Sequence, residues 1–145
     1  MDGTVPKILK ISVSASKGEK KKNVESANII EKLGIEGDAH FGSERPISLL
    51  SYESFAELKG LPELKPGDFA ENITTLGLDY NRVKAGTRIA LGDDVVIEVI
   101  QIGKECHNGC VIKQTVGDCI MPRRGVFARP IRGGRLSEGD HIEIL

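Results

Sequence analysis

The chain has 145 residues and a formal net charge of −1. That length suits a single domain, residues 1–145, with a core large enough to need no disulfide or metal. The near-neutral charge excludes binding driven by the bulk charge of the chain, so any charge-driven binding must be local, and a chain with no Trp, four Phe and two Tyr lacks the stacking platforms that bind single-stranded nucleic acid.

Membrane insertion and secretion also have no support in the sequence. No apolar run approaches the roughly 18 residues needed to span a bilayer, and the amino terminus lacks the apolar core of a signal peptide. We therefore predict a cytoplasmic protein with no membrane partner. The three cysteines should be reduced there, and clustered cysteines in a reducing compartment are typically reactive or metal-binding.

The chain begins with a predicted strand. Residues Lys7 to Ser14 alternate, with Leu9, Ile11 and Val13 on one side, which is the period of a half-buried strand. A charged turn follows, and its lysines, Lys20 to Lys22, are expected to be solvated and to lie outside any site.

Two short helices are predicted next. Asn23 can cap the first, which Gly34 would end, and its apolar residues fall near one face: Val24, Ala27, Ile30 and Leu33. Ser51 can cap the second, which would run to about Lys59. Between them lies a polar, glycine-rich loop that brings His40 and Arg45 close together in sequence, and polar side chains held on such loops are typical of binding sites.

The rest of the chain reads as short strands separated by turns. Five Gly-Asp pairs mark these turns, beginning at Gly37, Gly67, Gly92, Gly117 and Gly139. We interpret their aspartates as turn residues. Short strands at this spacing, with two or three short helices, predict a mostly β fold that forms a closed or nearly closed β-barrel.

Most of the reactive side chains lie between residues 99 and 135. All three cysteines, Cys106, Cys110 and Cys119, are here, and after the last of them come five arginines without an acidic residue: Arg123, Arg124, Arg129, Arg132 and Arg135. Thiolates suit soft metals and persulfide sulfur, whereas guanidinium groups suit phosphate and carboxylate. This combination indicates a sulfur-bound partner that carries a phosphate; the alternative is a buried thiol beside a solvated basic loop.

Four segments, in order, resemble the successive motifs of the MOSC family, named for the carboxy-terminal domain of molybdenum cofactor sulfurase. They begin at Gly37 (Gly-Asp-Ala-His-Phe-Gly), Pro66 (Pro-Gly-Asp-Phe-Ala-Glu-Asn), Lys84 (Lys-Ala-Gly-Thr-Arg-Ile) and Val99 (Val-Ile-Gln-Ile-Gly-Lys-Glu-Cys). The resemblance implies a barrel-like β fold. It also implies a pocket in which a cysteine either ligates molybdenum or carries sulfane sulfur, with the phosphate of molybdopterin held by basic residues.

The resemblance does not decide which cysteine is the functional one. Cys106 matches when the count runs forward from Val99, and Cys110 matches when it runs back from the following Thr-rich strand; we favour Cys106. As a molybdenum ligand it would be the metal site, and as a carrier it would accept a persulfide that Cys110 resolves. The phosphate would be bound by Arg123, Arg124 and Arg129, with His40 and Arg45 in the pocket. Asn72 has two interpretations, a cofactor contact or a turn residue that satisfies the backbone.

Partners follow from the same resemblance. The sequence shows no counterpart of the pyridoxal-phosphate desulfurase that precedes MOSC in cofactor sulfurases, so no pyridoxal phosphate site is expected and a separate cysteine desulfurase would supply sulfur. Whether the chain is an enzyme stays open. A different function is a zinc-stabilised binding module, since Cys106, His107, Cys110 and Cys119 contain enough donors for four-coordinate zinc, although the paired Cys-x₂-Cys spacing is missing.

Overall fold

The computed structural model describes residues 5–17, 20–57, 65–103 and 125–145, and the fold in these ranges is mostly β. Two 3₁₀ helices, Tyr52–Glu57 and Tyr80–Arg82, accompany the strands. The strands are β1 (Lys7–Val13), β2 (Lys22–Val24), β3 (Ser26–Ile30), β4 (Gly34–Ile35), β5 (Ile47–Ser51), β6 (Ile73–Leu76), β7 (Arg88–Leu91), β8 (Val95–Ile102), β9 (Val126–Arg132), β10 (Gly134–Ser137) and β11 (Ile142–Ile144).

These strands form two sheets. The larger has eight strands in the order β11-β7-β8-β9-β5-β6-β1-β2, and the smaller has three in the order β10-β3-β4. The pairing of the described strands is antiparallel except between β5 and β6, which run parallel.

One hydrophobic core serves both sheets. Ile29 of β3 and Leu136 of β10, from the small sheet, belong to the same buried cluster as Ile11, Leu49 and Ile97 of the large sheet. Each buried Ile or Leu stabilises the fold by about 1.5–3 kcal/mol relative to exposure. The small sheet is therefore held by the core of the large one.

The predicted first strand is confirmed as β1, but its inward face differs from the prediction. Ile8 and Ile11 are fully buried, whereas Leu9 and Val13 are only partly buried, and the expected outer residue Ser12 is buried. A β-bulge lies between Ile8 and Lys10 in the pairing with β6. The extra residue breaks the two-residue alternation, so side chains on either side of the bulge change faces.

The first predicted helix is wrong. Residues 22–35 form β2, β3 and β4, and β3 pairs along its length with β10 more than a hundred residues later in the chain. Val24 and Ile30 favour strands, and the apolar spacing of this segment fits either a helix or a strand. Pairing with the distant strand β10 decides in favour of the strand. Gly34 does not end a helix but lies in β4, where a Cβ atom would come within 2.7 Å of the Pro46 Cβ.

The second predicted helix appears as the first 3₁₀ helix, and its expected cap is present because the Ser51 hydroxyl oxygen accepts a hydrogen bond from the Ser54 amide (3.1 Å). Its predicted end near Lys59 lies outside the described residues. No α-helix occurs in the described ranges, so the expectation of two or three helices within a β fold is not borne out beyond these two 3₁₀ turns. The same ranges also contain no helix long and apolar enough to cross a membrane.

The predicted barrel is not confirmed. Over the described strands, the hydrogen-bonded ladder of the large sheet has β11 and β2 at its ends and does not close. An isolated bridge joins Lys7 to His141, and the Ile8 amide donates to the Asp140 carbonyl (2.8 Å). The chain just before β11 therefore contacts β1, without a continuous ladder between the two strands.

The turn prediction is confirmed at the four Gly-Asp pairs that the structure describes. Their glycines have φ angles of +90° (Gly37), +97° (Gly67), +65° (Gly92) and +89° (Gly139). Glycine adopts such angles without the steric cost that a Cβ atom brings. The pair at Gly117 lies outside the described ranges.

Candidate functional site

An open cavity of about 430 Å³ lies where the loop after β4 meets the start of β9. The described residues that line it include three basic or potentially basic side chains and one acid, and they are Lys17, His40, Ser43, Glu44, Arg45 and Phe127. Its wall therefore combines cationic groups with one aromatic face. Such a surface suits an anionic ligand that has a flat ring.

Arg45 is oriented by an aromatic contact. Its guanidinium carbon lies 5.3 Å from the centre of the Phe127 ring, within the range of a cation–π interaction. Phe127 is in β9 and pairs with Ser48 of β5, two strands whose register is fixed by the sheet. The exposed guanidinium group of Arg45 is therefore held over a rigid platform, and no hydrogen bond among the described residues uses its N–H groups.

Behind His40 lies a buried ion pair. The Nζ atom of Lys21 is 2.8 Å from Oδ1 of Asp38, and both side chains are 0% exposed. Lys21 also donates to the Ser14 hydroxyl oxygen (2.9 Å), and its Nζ atom lies 3.4 Å from Nδ1 of His40. His40 thus bridges a buried charge pair and the cavity.

Asp38 is enclosed by donors. Its Oδ1 accepts from the Ser14 amide (3.1 Å) as well as from Lys21, and its Oδ2 accepts from the His40 amide (3.1 Å). Burial by itself would raise the pKa of Asp38, but hydrogen bonds from Lys21 and from the His40 amide, together with the charge of Lys21, outweigh burial and hold the pKa well below its usual range. Asp38 is therefore ionised at neutral pH in the folded protein.

The structure brings together two of the predicted site residues, His40 and Arg45, which both line the cavity. Arg129 is placed elsewhere, since its guanidinium group donates to Glu98 on the neighbouring strand β8 (3.0 Å) and it is not among the described lining residues. Its predicted phosphate contact has no support in this arrangement and stays a prediction.

Asn72 is 1% exposed, and both ends of its amide are used by the protein. Its Oδ1 accepts from the Ser48 amide (3.0 Å), and its Nδ2 donates to the Ser12 carbonyl (3.1 Å), so that it ties β1 to β5. These contacts match the second interpretation of Asn72, a residue that satisfies buried backbone groups.

The remaining predicted residues, Cys106, Cys110, Cys119, Arg123 and Arg124, lie outside the described ranges, as does His107. The described residues stop at Gly103, just after β8, and resume at Gly125, just before β9, and the Gly103 amide donates to the Gly125 carbonyl (2.7 Å). Phe127 follows Gly125 by two residues, about 7 Å of strand. The cysteine-bearing connection thus starts and ends close to the cavity wall.

Sequence reasoning missed Lys21 and Asp38. Lys21 was expected to be solvated with its two neighbours, and Asp38 was interpreted as a turn residue. Lys20 and Lys22 are exposed as predicted, whereas Lys21 is buried. Three consecutive lysines give no sequence signal for which one turns inward, because only the opposing carboxylate makes burial of an ammonium group tolerable.

A sequence model of the MOSC domain matches residues 36–143, about three quarters of the chain. The chain belongs to the MOSC domain family. The matched range includes the cavity residues His40 and Arg45, the cysteine-bearing connection and β9. No curated protein matches the sequence significantly.

Solved structures show the same fold as this MOSC domain. The YuaD protein from Bacillus subtilis is 22% identical with a TM-score of 0.80, and the match covers 97% of this chain and 96% of YuaD. YiiM from Geobacillus stearothermophilus (TM-score 0.74, 22% identity, 97% and 75% covered) and YiiM from Escherichia coli (0.69, 19%, 98% and 70%) are also similar. At these identities the likeness concerns the fold alone.

The MOSC family is linked to the carboxy-terminal domains of molybdenum cofactor sulfurases. Such a cofactor has a phosphate and a metal, and the fit of the described residues has to be considered for each. The cavity supplies cations for a phosphate, through Arg45 and Lys17. Within residues 5–17, 20–57, 65–103 and 125–145 no group of three or more His, Cys, Asp or Glu could hold a metal ion. Thiolates suit soft metals, and the three cysteines of the chain all lie in sequence between Gly103 and Gly125.

Proposed function

We propose that this MOSC domain binds a molybdopterin-type cofactor in the cavity of His40 and Arg45, with Cys106 as its sulfur ligand. The observation that carries the proposal is the cationic cavity beside Gly103 and Gly125, which flank β8 and β9 and between which every cysteine lies in the sequence. Family membership supports it.

The roles of the cavity residues follow from their chemistry. Arg45 and Lys17 would neutralise the cofactor's phosphate, and Phe127 would keep the guanidinium group aligned with it. Glu44 lies in the same wall and would repel a second anion. Arg123 and Arg124 would add further cations, as the sequence predicts. The cofactor, when bound, would supply redox or sulfur chemistry at molybdenum; the protein supplies binding and orientation.

The first experiment is expression with molybdate, followed by measurement of molybdenum by elemental analysis and of the oxidised pterin by fluorescence. Arg45→Ala should lower both, because it removes the oriented cation. Arg88→Ala is the matched control, since Arg88 is an exposed arginine of β7 that does not line the cavity. The double variant Cys106→Ser/Cys110→Ser should lose molybdenum. Retention of molybdenum and pterin by Arg45→Ala and by the double variant at the wild-type level would reject the proposal.

A second candidate function is sulfur transfer, favoured by the three clustered cysteines in the sequence. The Cys106 thiolate would attack the outer sulfur of a persulfide on a cysteine desulfurase; a new S–S bond forms on Cys106, the donor's S–S bond breaks, and the donor thiol leaves with the proton. Attack by Cys110 on this persulfide would form a disulfide and release hydrogen sulfide. Neither step needs a further oxidant.

Mass spectrometry after incubation with a cysteine desulfurase and cysteine tests this second function. The expected result is a gain of one sulfur atom on Cys106 that Cys106→Ser abolishes and Cys119→Ser preserves. No gain on any cysteine would exclude the carrier function, whatever the result for cofactor binding. Retention of stoichiometric zinc through chelation would instead favour the zinc-stabilised module.

A further inference from the structure

The buried contacts around His40 determine which of its ring nitrogens carries the proton. Lys21 has three N–H groups and three acceptors within reach, namely Asp38 Oδ1 (2.8 Å), Ser14 Oγ (2.9 Å) and His40 Nδ1 (3.4 Å). Ser14 Oγ is free to accept, because its own hydrogen is donated to the Ser16 carbonyl (2.9 Å). Among the described residues, all three N–H groups of this ammonium find an acceptor only if His40 Nδ1 accepts.

The other tautomer fits these contacts poorly. A proton on Nδ1 would point toward Asp38 Oδ2, 3.5 Å away, but it would also face the Lys21 ammonium group at 3.4 Å. One N–H of a fully buried ammonium group would then lose its acceptor, and an unsatisfied buried charged donor is costly. Asp38 needs no such proton, because Oδ2 already accepts from the His40 amide and Oδ1 from two donors.

The opposite edge of the imidazole belongs to the cavity. The side chain of His40 is 28% exposed and lines the cavity together with Arg45 and Lys17. None of the hydrogen bonds among the described residues uses Nε2. With Nδ1 occupied from inside, Nε2 is the nitrogen left for a ligand.

We propose that Lys21 is a positioning residue that fixes His40 as the Nε2–H tautomer, so that His40 donates a hydrogen bond to an oxyanion in the cavity beside Arg45 and Lys17. The ligand class is a phosphate group. The assignment of the ligand rests on the proposed function, whereas the tautomer follows from the buried contacts alone.

The deciding measurement is the pair of imidazole nitrogen shifts of His40 in the wild-type full chain, recorded by NMR without ligand at neutral pH. The expected result is a pyrrole-type nitrogen at Nε2 and a pyridine-type nitrogen at Nδ1. His141, whose side chain is 52% exposed and has no described contact with Lys21, provides a second histidine signal for assignment. A proton on Nδ1 of His40, or on both nitrogens, would overturn the proposal.

Lys21→Met separates positioning from simple stabilisation. Without the ammonium group, Nδ1–H can donate to Asp38 Oδ2, so the tautomer of His40 should invert in the folded variant. Loss of stability alone would not move the proton between ring nitrogens. An unchanged Nε2–H tautomer in folded Lys21→Met would refute the role assigned to Lys21, and the wild-type spectrum decides the tautomer even if this variant does not fold.

Titration with inorganic phosphate tests the ligand. His40→Gln keeps an amide donor near the position of Nε2 and should bind within about three-fold of wild type, whereas His40→Asn places its amide near Nδ1 and should bind about ten-fold more weakly, the loss expected for one charge-assisted hydrogen bond. Equal losses in both variants would contradict donation from Nε2. A correct tautomer with no phosphate binding by wild type would reject the oxyanion site and the proposed cofactor function with it; phosphate binding with a proton on Nδ1 would reject only the positioning role.

Discussion

Replacing Lys21 by Met is the most informative perturbation of stability in this protein. The change removes the ammonium group that pairs with Asp38. The Asp38 side chain, which is 0% exposed in the folded structure, then stays buried without its cation. Breaking a buried ion pair from one side typically costs about 3–5 kcal/mol, because the remaining charge is uncompensated.

The structure refines this magnitude. Asp38 keeps its hydrogen bonds from the Ser14 and His40 amides, and His40 can donate to Oδ2 once the ammonium group is gone. A hydrogen bond to a charged group is worth about 1.5–3 kcal/mol, so the net loss should lie near the lower end, about 3 kcal/mol. For a domain of this size each kcal/mol shifts Tm by about 2–4 °C, which gives a decrease of about 10 °C.

Urea unfolding followed by circular dichroism measures this loss directly. Lys10→Met is the matched control: Lys10 also forms an ion pair, with Glu138 at 3.0 Å, but both side chains are more than a third exposed. An exposed pair contributes about 0–1 kcal/mol, so the control should lose little. In a double-mutant cycle with Asp38→Asn, the coupling energy between Lys21 and Asp38 should be about 2 kcal/mol.

The pH dependence provides an independent check. The folded-state pKa of Asp38 is depressed, so its contribution to stability is fully present above its unfolded value of about 3.9 and is lost as pH falls below that value toward the folded-state pKa. Lys21→Met brings the two pKa values closer together. The stability difference between wild type and variant should therefore shrink as pH falls below about 4. A loss below about 1 kcal/mol for Lys21→Met, equal to that of the exposed control, would refute the buried-pair reasoning.

Three further predictions concern a turn, a buried acid and the cavity. Gly67→Ala should lower the free energy of unfolding by about 3 kcal/mol in urea, because a Cβ atom there overlaps the Lys21 carbonyl oxygen. Gly139→Ala is the control: Gly139 has a similar φ angle but open space around it, so the loss should be about 1 kcal/mol. Equal losses in the two variants would contradict the overlap. Burial raises the pKa of Glu71, and hydrogen bonds from the Gly67 amide and other donors only partly offset this. The free energy of unfolding of wild type, relative to that of Glu71→Gln, should therefore fall as pH rises above about 4.5. A difference that stays flat or rises between pH 4 and about pH 8 would contradict this. Arg45→Lys should bind inorganic phosphate more weakly than wild type in calorimetric titration, since an ammonium group cannot stack on the Phe127 ring as a planar fork does, and unchanged affinity would remove Arg45 from the anion site.

Prediction of the fold succeeded where local signals were strong. The strands β7 and β8 on either side of Gly92 and the final strand β11 after Gly139 appear where the turn residues place them. Prediction failed at residues 22–35, because the apolar spacing there fits both a helix and a strand, and the pairing of β3 with β10 selected the strand. The bulge in β1 had no sequence signal either, since it arises from the register with β6.

Prediction of the site was similarly divided. A polar loop with His40 and Arg45 close in sequence was enough to place both at one cavity. The arginine count could not show that Arg129 pairs with Glu98, because these residues meet only through the pairing of β8 with β9. Asn72 could not be assigned for the same reason, since its partners belong to two other strands.

The sequence by itself determined a mostly β domain of the MOSC family, because glycine turns, strand alternation and ordered motifs are local properties of the chain. Only the tertiary structure decided that one lysine of three, Lys21, turns inward to Asp38 and touches His40. A buried charge requires a compensating partner brought from elsewhere in the chain, and that pairing is fixed by how the strands assemble.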